Sequence, residues 1–405
     1  MLVRLHDVYA RGLGFFGQLG LNNRYENAGT FQLIPALHHV ELRDLKGSYC
    51  QSAALVGKNE LLVWGWPLDV RSQMQVLWML QDRTKIARFI QKYSPLPWLS
   101  LREGIEVPER ETEIKDKVEK VDIGGAFMVA CDSQGVAYGW GTSHRGQFGL
   151  YKFPFYSVPT PIPGLEGRKI VDVQCGYQHT LFLDDTGRTF GTGRSEYGTL
   201  GNIPMTKQSV FGNMKKVVEV PMSGVKQIAA GQNHSVMLLE SGEVFAFGKN
   251  EYGQCGDLTS IERVFEPHRL YLPEPAQQIA CGTKHTLILG RSGTLYSLGN
   301  RRLGQLDGFR DGFHENQCSA TPSKLPFTSP IKRIQAGFDR SCAFLETGEV
   351  WVWGGDDSKY LGGEFYPDFT LLNDELPEDV SGEISHVGLG FMHTLIGVMV
   401  QASKA

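Results

Sequence analysis

Along most of this chain, short apolar runs and polar breaks alternate at a fixed pitch. In Gly231–Gly256, "GQNHSVMLLESGEVFAFGKNEYGQCG", the run Val236–Leu239 leads to a polar turn ending at Gly242. A second run, rich in β-branched and aromatic residues, then ends at Gly248. Two such runs around a glycine turn predict a β-hairpin, with the turn glycine supplying φ > 0. The same frame recurs. Counting from its first glycine, a second follows eleven residues later and a third seventeen later. This holds at Gly124/Gly135/Gly141, Gly176/Gly187/Gly193, Gly231/Gly242/Gly248, Gly282/Gly293/Gly299 and Gly337/Gly348/Gly354.

A sixth, worn copy runs from Ser48 to Gly65, with Asn59 at the turn position, where asparagine tolerates the left-handed backbone best after glycine. The seventh copy is divided between the chain ends. "VGLGFMHTLIGVMV" at Val387–Val400 has only the opening, and "VYARGLGFFGQLG" at Val8–Gly20 only the ending. A ring explains the division, since a blade built from both termini removes exposed sheet edges. The fold class expected is all-β. It is a seven-bladed β-propeller over residues 1–405, closed by a blade shared between the N- and C-termini and carrying one helical insertion.

Successive first glycines lie 51 to 55 residues apart, beyond the roughly 40–45 of WD repeats and near the roughly 50 of kelch repeats. Neither of those signatures is present. The set "A-x-G-x-x-H-[ST]…G-x-[VL]-[YFW]-x-[WFL]-G-x-x-x-x-G-Q-x-G" resembles the repeat of the regulator of chromosome condensation family, which implies a seven-bladed propeller. Phe127, Gln51 and Arg340 depart from it by replacing histidine, and the first blade lacks the Gly-Gln-Leu-Gly tail. The Gly-Trp-Arg-His-Thr motif of the family's plant ultraviolet-B photoreceptor branch is missing: its slot reads Tyr177-Gln178 or Gln232-Asn233.

Repetition stops between residues 67 and 120, which reads as a helical and charged insertion. Within it, Arg71–Tyr93 has helical apolar spacing with cations between, and Pro95 and Pro97 end it. Leu101–Lys120 is dense in both charges and reads as a solvated loop or short exposed helix. Two roles compete for the insertion: a cover folded onto the shortened first blade, and a partner-docking element. The cover reading is favoured. For docking, the candidate partner-binding residues are Met74, Trp78, Phe89 and Trp98 with Arg71 and Arg88, because large apolar residues and arginine dominate interface hot spots. Contact with a membrane surface through 71–93 is a further, weaker reading.

Composition adds exclusions. The 48 glycines in 405 residues fit a turn-rich fold, and a net charge of −4 gives no overall basic field, so no DNA partner is expected. Seven dispersed cysteines without a Cys-x-x-Cys pair suggest a reducing, intracellular setting. With no apolar run long enough to span a bilayer and no secretory leader, the cytoplasm is favoured, a mitochondrial place is an alternative, and secretion is not expected.

Catalytic chemistry is not expected. His179, His234, His285 and His393 hold one repeat position in different blades, so a ring would spread them apart. They are expected to be structural, bonding to the adjacent Thr180, Ser235, Thr286 and Thr394 or to nearby backbone. Cys175 and Cys281 read as core cysteines, and Trp64, Trp140 and Trp353 as inter-blade packing. "GLGFFG" at Gly12 lacks a following helix and reads as a repeat ending, and no phosphate-loop or hydrolase motif occurs. No catalytic residue, cofactor or metal site is therefore assigned.

In the resembled family one branch is a guanine nucleotide exchange factor for a small GTPase, and other branches are scaffolds or targeting modules. The first reading is a non-enzymatic interaction propeller, a scaffold or subunit of a multi-subunit complex. The alternatives are an exchange factor for a small GTPase and an organellar RNA-binding or ribosome-associated factor.

Overall fold

The computed structural model describes residues 4–14, 18–21, 28–58, 60–65, 105–110, 114, 116–201, 213–256, 262–308, 318–355, 365–391 and 393–400. Each predicted hairpin forms the middle of a four-stranded antiparallel sheet, and the described residues contain seven such sheets. In the blade that holds Gly231, the strands Val225–Ala230, His234–Leu239, Val244–Lys249 and Arg263–Leu270 lie side by side in chain order. The turn between the middle pair is at Gly242, whose φ of 92° is the left-handed value predicted from the repeat.

Burial explains the sequence pattern. The second strand, His234–Leu239, is buried along almost its whole length, whereas the outer Arg263–Leu270 has exposed positions among buried ones. A strand covered on both faces needs a continuous apolar run, while an edge strand can face water on one side. Val236, Leu238 and Phe247 share one core cluster with Leu181 and Leu183 of the preceding blade and Ile288 and Leu298 of the following one. The repeated apolar positions therefore pack blade against blade.

The chain divides into two compact units. The larger comprises residues 112–355 and 366–376; the smaller comprises 1–111, 356–365 and 377–405. Within the smaller unit the shared blade is present as expected. Leu5–Gly12 and Ala28–Leu33 form one sheet with Ile384–Leu389 and His393–Val400. The register between the two termini runs unbroken from Leu5 opposite Val400 to Gly12 opposite His393.

The insertion needs one correction. Residues 101–120 are not all loop or helix, because Ile105–Arg110 is the fourth strand of the blade made by Leu42–Gly47, Gln51–Val56 and Glu60–Gly65. It pairs with the third strand from Leu62 opposite Arg110 to Gly65 opposite Ile105. The next blade then begins with Val118–Ile123. An edge strand is held by backbone bonds on one side only, so a charge-rich sequence does not prevent it. The helix expected over Arg71–Tyr93, and Asn59 of the worn turn, lie outside the described residues.

Candidate interaction surface

The repeated histidines are latches between blades. His179 Nε2 lies 3.1 Å from Ser235 Oγ, His234 Nε2 3.1 Å from Thr286 Oγ1, His285 Nε2 2.9 Å from Ser341 Oγ, and His393 Nε2 2.9 Å from Ser52 Oγ. Each partner hydroxyl thus belongs to the next blade, not to the residue adjacent in sequence, which corrects the expectation for Thr180, Ser235, Thr286 and Thr394. Each of these hydroxyls in turn donates to a backbone carbonyl in the loop that follows the third strand of the histidine's own blade: Thr199, Gln254, Gln305 and Gln18 respectively. Because the hydroxyl proton is committed there, the imidazole Nε2–H must be the donor to the hydroxyl. Trp64 and Trp353 reinforce two of these joints, donating Nε1–H to Gln18 and Gln305 carbonyls at 2.9 and 3.1 Å.

The first glycine of each frame makes room for the ring. A Cβ at Gly176, Gly231 or Gly282 would overlap Cε1 of His179, His234 or His285. These rings are sealed from water. Desolvation lowers the pKa to about 3 for His179 and His285, with repulsion from His234 adding to it, and to about 4 for His234. A neutral imidazole between two blades is thus held out of reach of solvent. Phe127 and Arg340 occupy the same slot and are equally buried.

Part-exposed charged and aromatic residues lie in the loops after the third strands. In the larger unit, Gly193–Gly201 and Gly248–Gly256 are drawn tight by Gly198 N–H to Ser195 O and Gly253 N–H to Asn250 O, at 2.8 and 2.9 Å. These loops carry part-exposed cations and aromatic rings. The Arg194 guanidinium lies 5.0 Å from the Tyr197 ring centre and bonds Glu196, and Lys249 Nζ lies 5.4 Å from the same ring and pairs with Glu251. Lys284 Nζ lies 4.9 Å from the Tyr252 ring. The Lys249 hydrogen bond is the main reason the Glu251 carboxyl falls below its usual range.

Across the four loops Gly141–Gly149, Gly193–Gly201, Gly248–Gly256 and Gly299–Asp307, five Arg or Lys residues stand against three carboxylates. Three of these cations are paired with the three carboxylates of their own loops, Arg194 with Glu196, Lys249 with Glu251 and Arg301 with Asp307.

A second exposed feature begins just beyond the Gly141–Gly149 loop. Tyr151, Phe153, Phe155 and Val158 are all exposed on and before the outer strand Phe155–Pro161. Lys215 Nζ approaches the Tyr151 ring at 5.7 Å and Lys152 Nζ the Phe153 ring at 5.4 Å. A cluster of large apolar side chains in water marks an interaction site more strongly than scattered ones do. The sequence reading missed it. The available signal was "YKFPFYSV", an aromatic run that leads into the outer strand of its blade.

The six residues proposed for docking from the sequence, Arg71, Met74, Trp78, Arg88, Phe89 and Trp98, lie outside the described residues. None of the seven cysteines forms a disulfide, and Cys175 is buried while Cys281 is partly so. The other repeat residues lie where the propeller reading put them, with Trp64, Trp140 and Trp353 buried.

Comparison with known proteins follows the same pattern. The chain is 30% identical over 273 residues to the guanine nucleotide exchange factor SRM1 of Saccharomyces cerevisiae, covering 62% of this chain and 56% of that protein. It is 27% identical over 248 residues to the ultraviolet-B receptor UVR8 of Arabidopsis thaliana, covering 61% and 55%. The matched region therefore spans just over half the length of these relatives. Its fold overlays on yeast RCC1 (Prp20), solved bound to Kap60, with a TM-score of 0.76 at 23% identity, covering 99% of this chain and 90% of that one. Human WBSCR16 overlays with a TM-score of 0.76 at 18% identity, covering 97% and 100%. At these identities the overlays establish the fold, a seven-bladed β-propeller. A model of the RCC1-like domain matches residues 7–396 and reaches every blade. The chain belongs to the RCC1-like domain family.

Proposed function

We propose that this chain is a non-enzymatic protein-interaction propeller, acting as a scaffold or subunit of a larger assembly. The observation that carries this reading is the division of its chemistry. The repeated histidines are spent on latching blades, whereas Arg194, Tyr197, Lys249 and Tyr252 stand on tight loops as a preorganised surface, with Lys284, just before the strand His285–Gly290, against the Tyr252 ring. Preorganised tyrosine and arginine side chains bind with little ordering cost. The insertion residues Met74, Trp78, Phe89 and Trp98 remain a second proposed contact.

A second reading has one observation in its favour. SRM1, 30% identical over the matched residues, is named a guanine nucleotide exchange factor, and the structure of Prp20p is described with its binding properties to Gsp1p and histones. Exchange requires only contacts that favour the nucleotide-free state of a GTPase, so no nucleophile is needed. Affinity purification with quantitative mass spectrometry separates the readings. Recovery of a stoichiometric multi-subunit complex is the expected result. Recovery of a lone small GTPase, with faster release of fluorescent GDP from it on adding the chain, would establish exchange and overturn the scaffold reading.

A further inference from the structure

Among the described residues, one group of three metal-competent side chains converges: Asp7, His38 and His39, whose ligand atoms all lie within 4.8 Å of one another. Asp7 is on Leu5–Gly12, the N-terminal strand of the shared blade. His38 and His39 follow the one-turn 3-10 helix Pro35–Leu37, where the chain leaves that blade for the next. A β-bridge between His6 and Val40 holds the two segments together, with both backbone bonds made at 2.7 and 2.9 Å.

The Asp7 Oδ1 atom is oversubscribed. It accepts the His39 backbone N–H at 2.7 Å, and it faces His38 Nδ1 at 2.8 Å and His39 Nδ1 at 3.3 Å. A carboxylate oxygen has lone pairs for about two good donors. Metal–ligand bonds of about 2.0–2.1 Å in a tetrahedron place neighbouring ligand atoms about 3.3 Å apart. The His39 separation matches that edge, and the half-exposed His38 ring reaches it by moving outward about half an ångström. His39 takes φ of 55°, rare outside glycine, and it is this turn that sends both its N–H and its ring back to Asp7. The carboxylate is 12% exposed and the two imidazoles 50% and 49%, so the ligands sit on a firm base with an open outer side.

We propose that Asp7, His38 and His39 bind one divalent transition-metal ion of the zinc class. Nδ1 of each imidazole and Oδ1 of Asp7 supply three ligands, and water completes the coordination from the exposed side. Two imidazoles with one carboxylate suit zinc, cobalt or nickel better than calcium or magnesium, which prefer all-oxygen shells. The His39 backbone N–H becomes the outer-shell bond that orients the carboxylate. Bound there, the ion fastens the connector to the strand that closes the blade.

The test uses the full-length, tag-free chain with zinc chloride in calorimetry and cobalt chloride in visible absorption. Wild type binds one equivalent of zinc, gains thermal stability on doing so, and gives the d–d absorption of nitrogen-ligated cobalt. The double variant His38→Ala/His39→Ala and the near-isosteric Asp7→Asn weaken binding at least tenfold. Since both imidazoles are half-exposed, the double variant folds, which circular dichroism checks. Failure of wild type to bind stoichiometrically, or full binding by the double variant, would overturn the proposal.

Discussion

Lowering the pH from 7 to 5 should weaken the fold chiefly through the latch histidines. His179, His234 and His285 have folded-state pKa values of about 3, 4 and 3, driven down chiefly by burial, against about 6.5 when unfolded. Between those limits the unfolded chain binds protons that the folded chain refuses, so stability falls as pH falls through 6.5 and goes on falling towards about 4. At pH 5 the unfolded state gains about 2 kcal/mol per histidine, or about 6 kcal/mol for the three. That is comparable with the whole stability of many domains, about 5–15 kcal/mol. His6, also lowered mainly by burial, acts in the same direction. An unperturbed carboxylate, at about 3.9–4.3, titrates below this window. Guanidinium unfolding at half-unit steps from pH 7 to 5 measures the effect, and His234→Gln should remove about 2 kcal/mol of it. Equal stability at pH 7 and pH 5 would refute the buried, neutral latch.

Other consequences are independent of titration. At pH 7.5, His234→Gln should cost about 1 kcal/mol, as an ordinary buried hydrogen bond does, and leave partner recovery intact; stoichiometric metal lost on that change would contradict the structural role. Ending the chain after Glu383 removes Ile384–Leu389 and His393–Val400 from the shared blade, so the whole chain should lose its cooperative melting transition, and an unchanged melting temperature would exclude closure by that blade. Replacing residues 71–100 with a short flexible linker spares the strand Ile105–Arg110 and, on the cover reading, lowers the melting temperature while partners are still recovered. Unchanged stability with lost recovery would favour docking instead.

The fold was legible because its code is repeated. A glycine that must take positive φ, such as Gly242, and one that must admit a ring, such as Gly231, recur at fixed spacing, and a repeated steric need leaves a repeated letter. The destination of the latch bond was not legible. Ser235 sits beside His234 in sequence, but adjacent residues of a strand point to opposite faces, so the histidine reaches Thr286 one blade on. Ile105–Arg110 was hidden because an edge strand is specified by its backbone and not by apolar pattern. Surface features were harder still. Arg194, Tyr197 and Lys249 read as turn residues until the loops bring them within cation–π range. Asp7 and His38 are separated by an entire outer strand, and backbone pairing that includes the His6–Val40 bridge makes them neighbours.

The interaction account is tested most directly by comparing wild type with Tyr197→Ala/Tyr252→Ala in quantitative affinity purification from cells. The two tyrosines are part-exposed, and truncating their side chains leaves the backbone bonds of their loops in place, so the double variant should melt within a few degrees of wild type. Loss of hot-spot side chains typically costs 2 kcal/mol or more each, about thirtyfold in affinity. The account predicts that the variant, folded and soluble, loses the stoichiometric partners recovered by wild type. Undiminished recovery by a folded double variant would contradict it and move the partner site away from these loops.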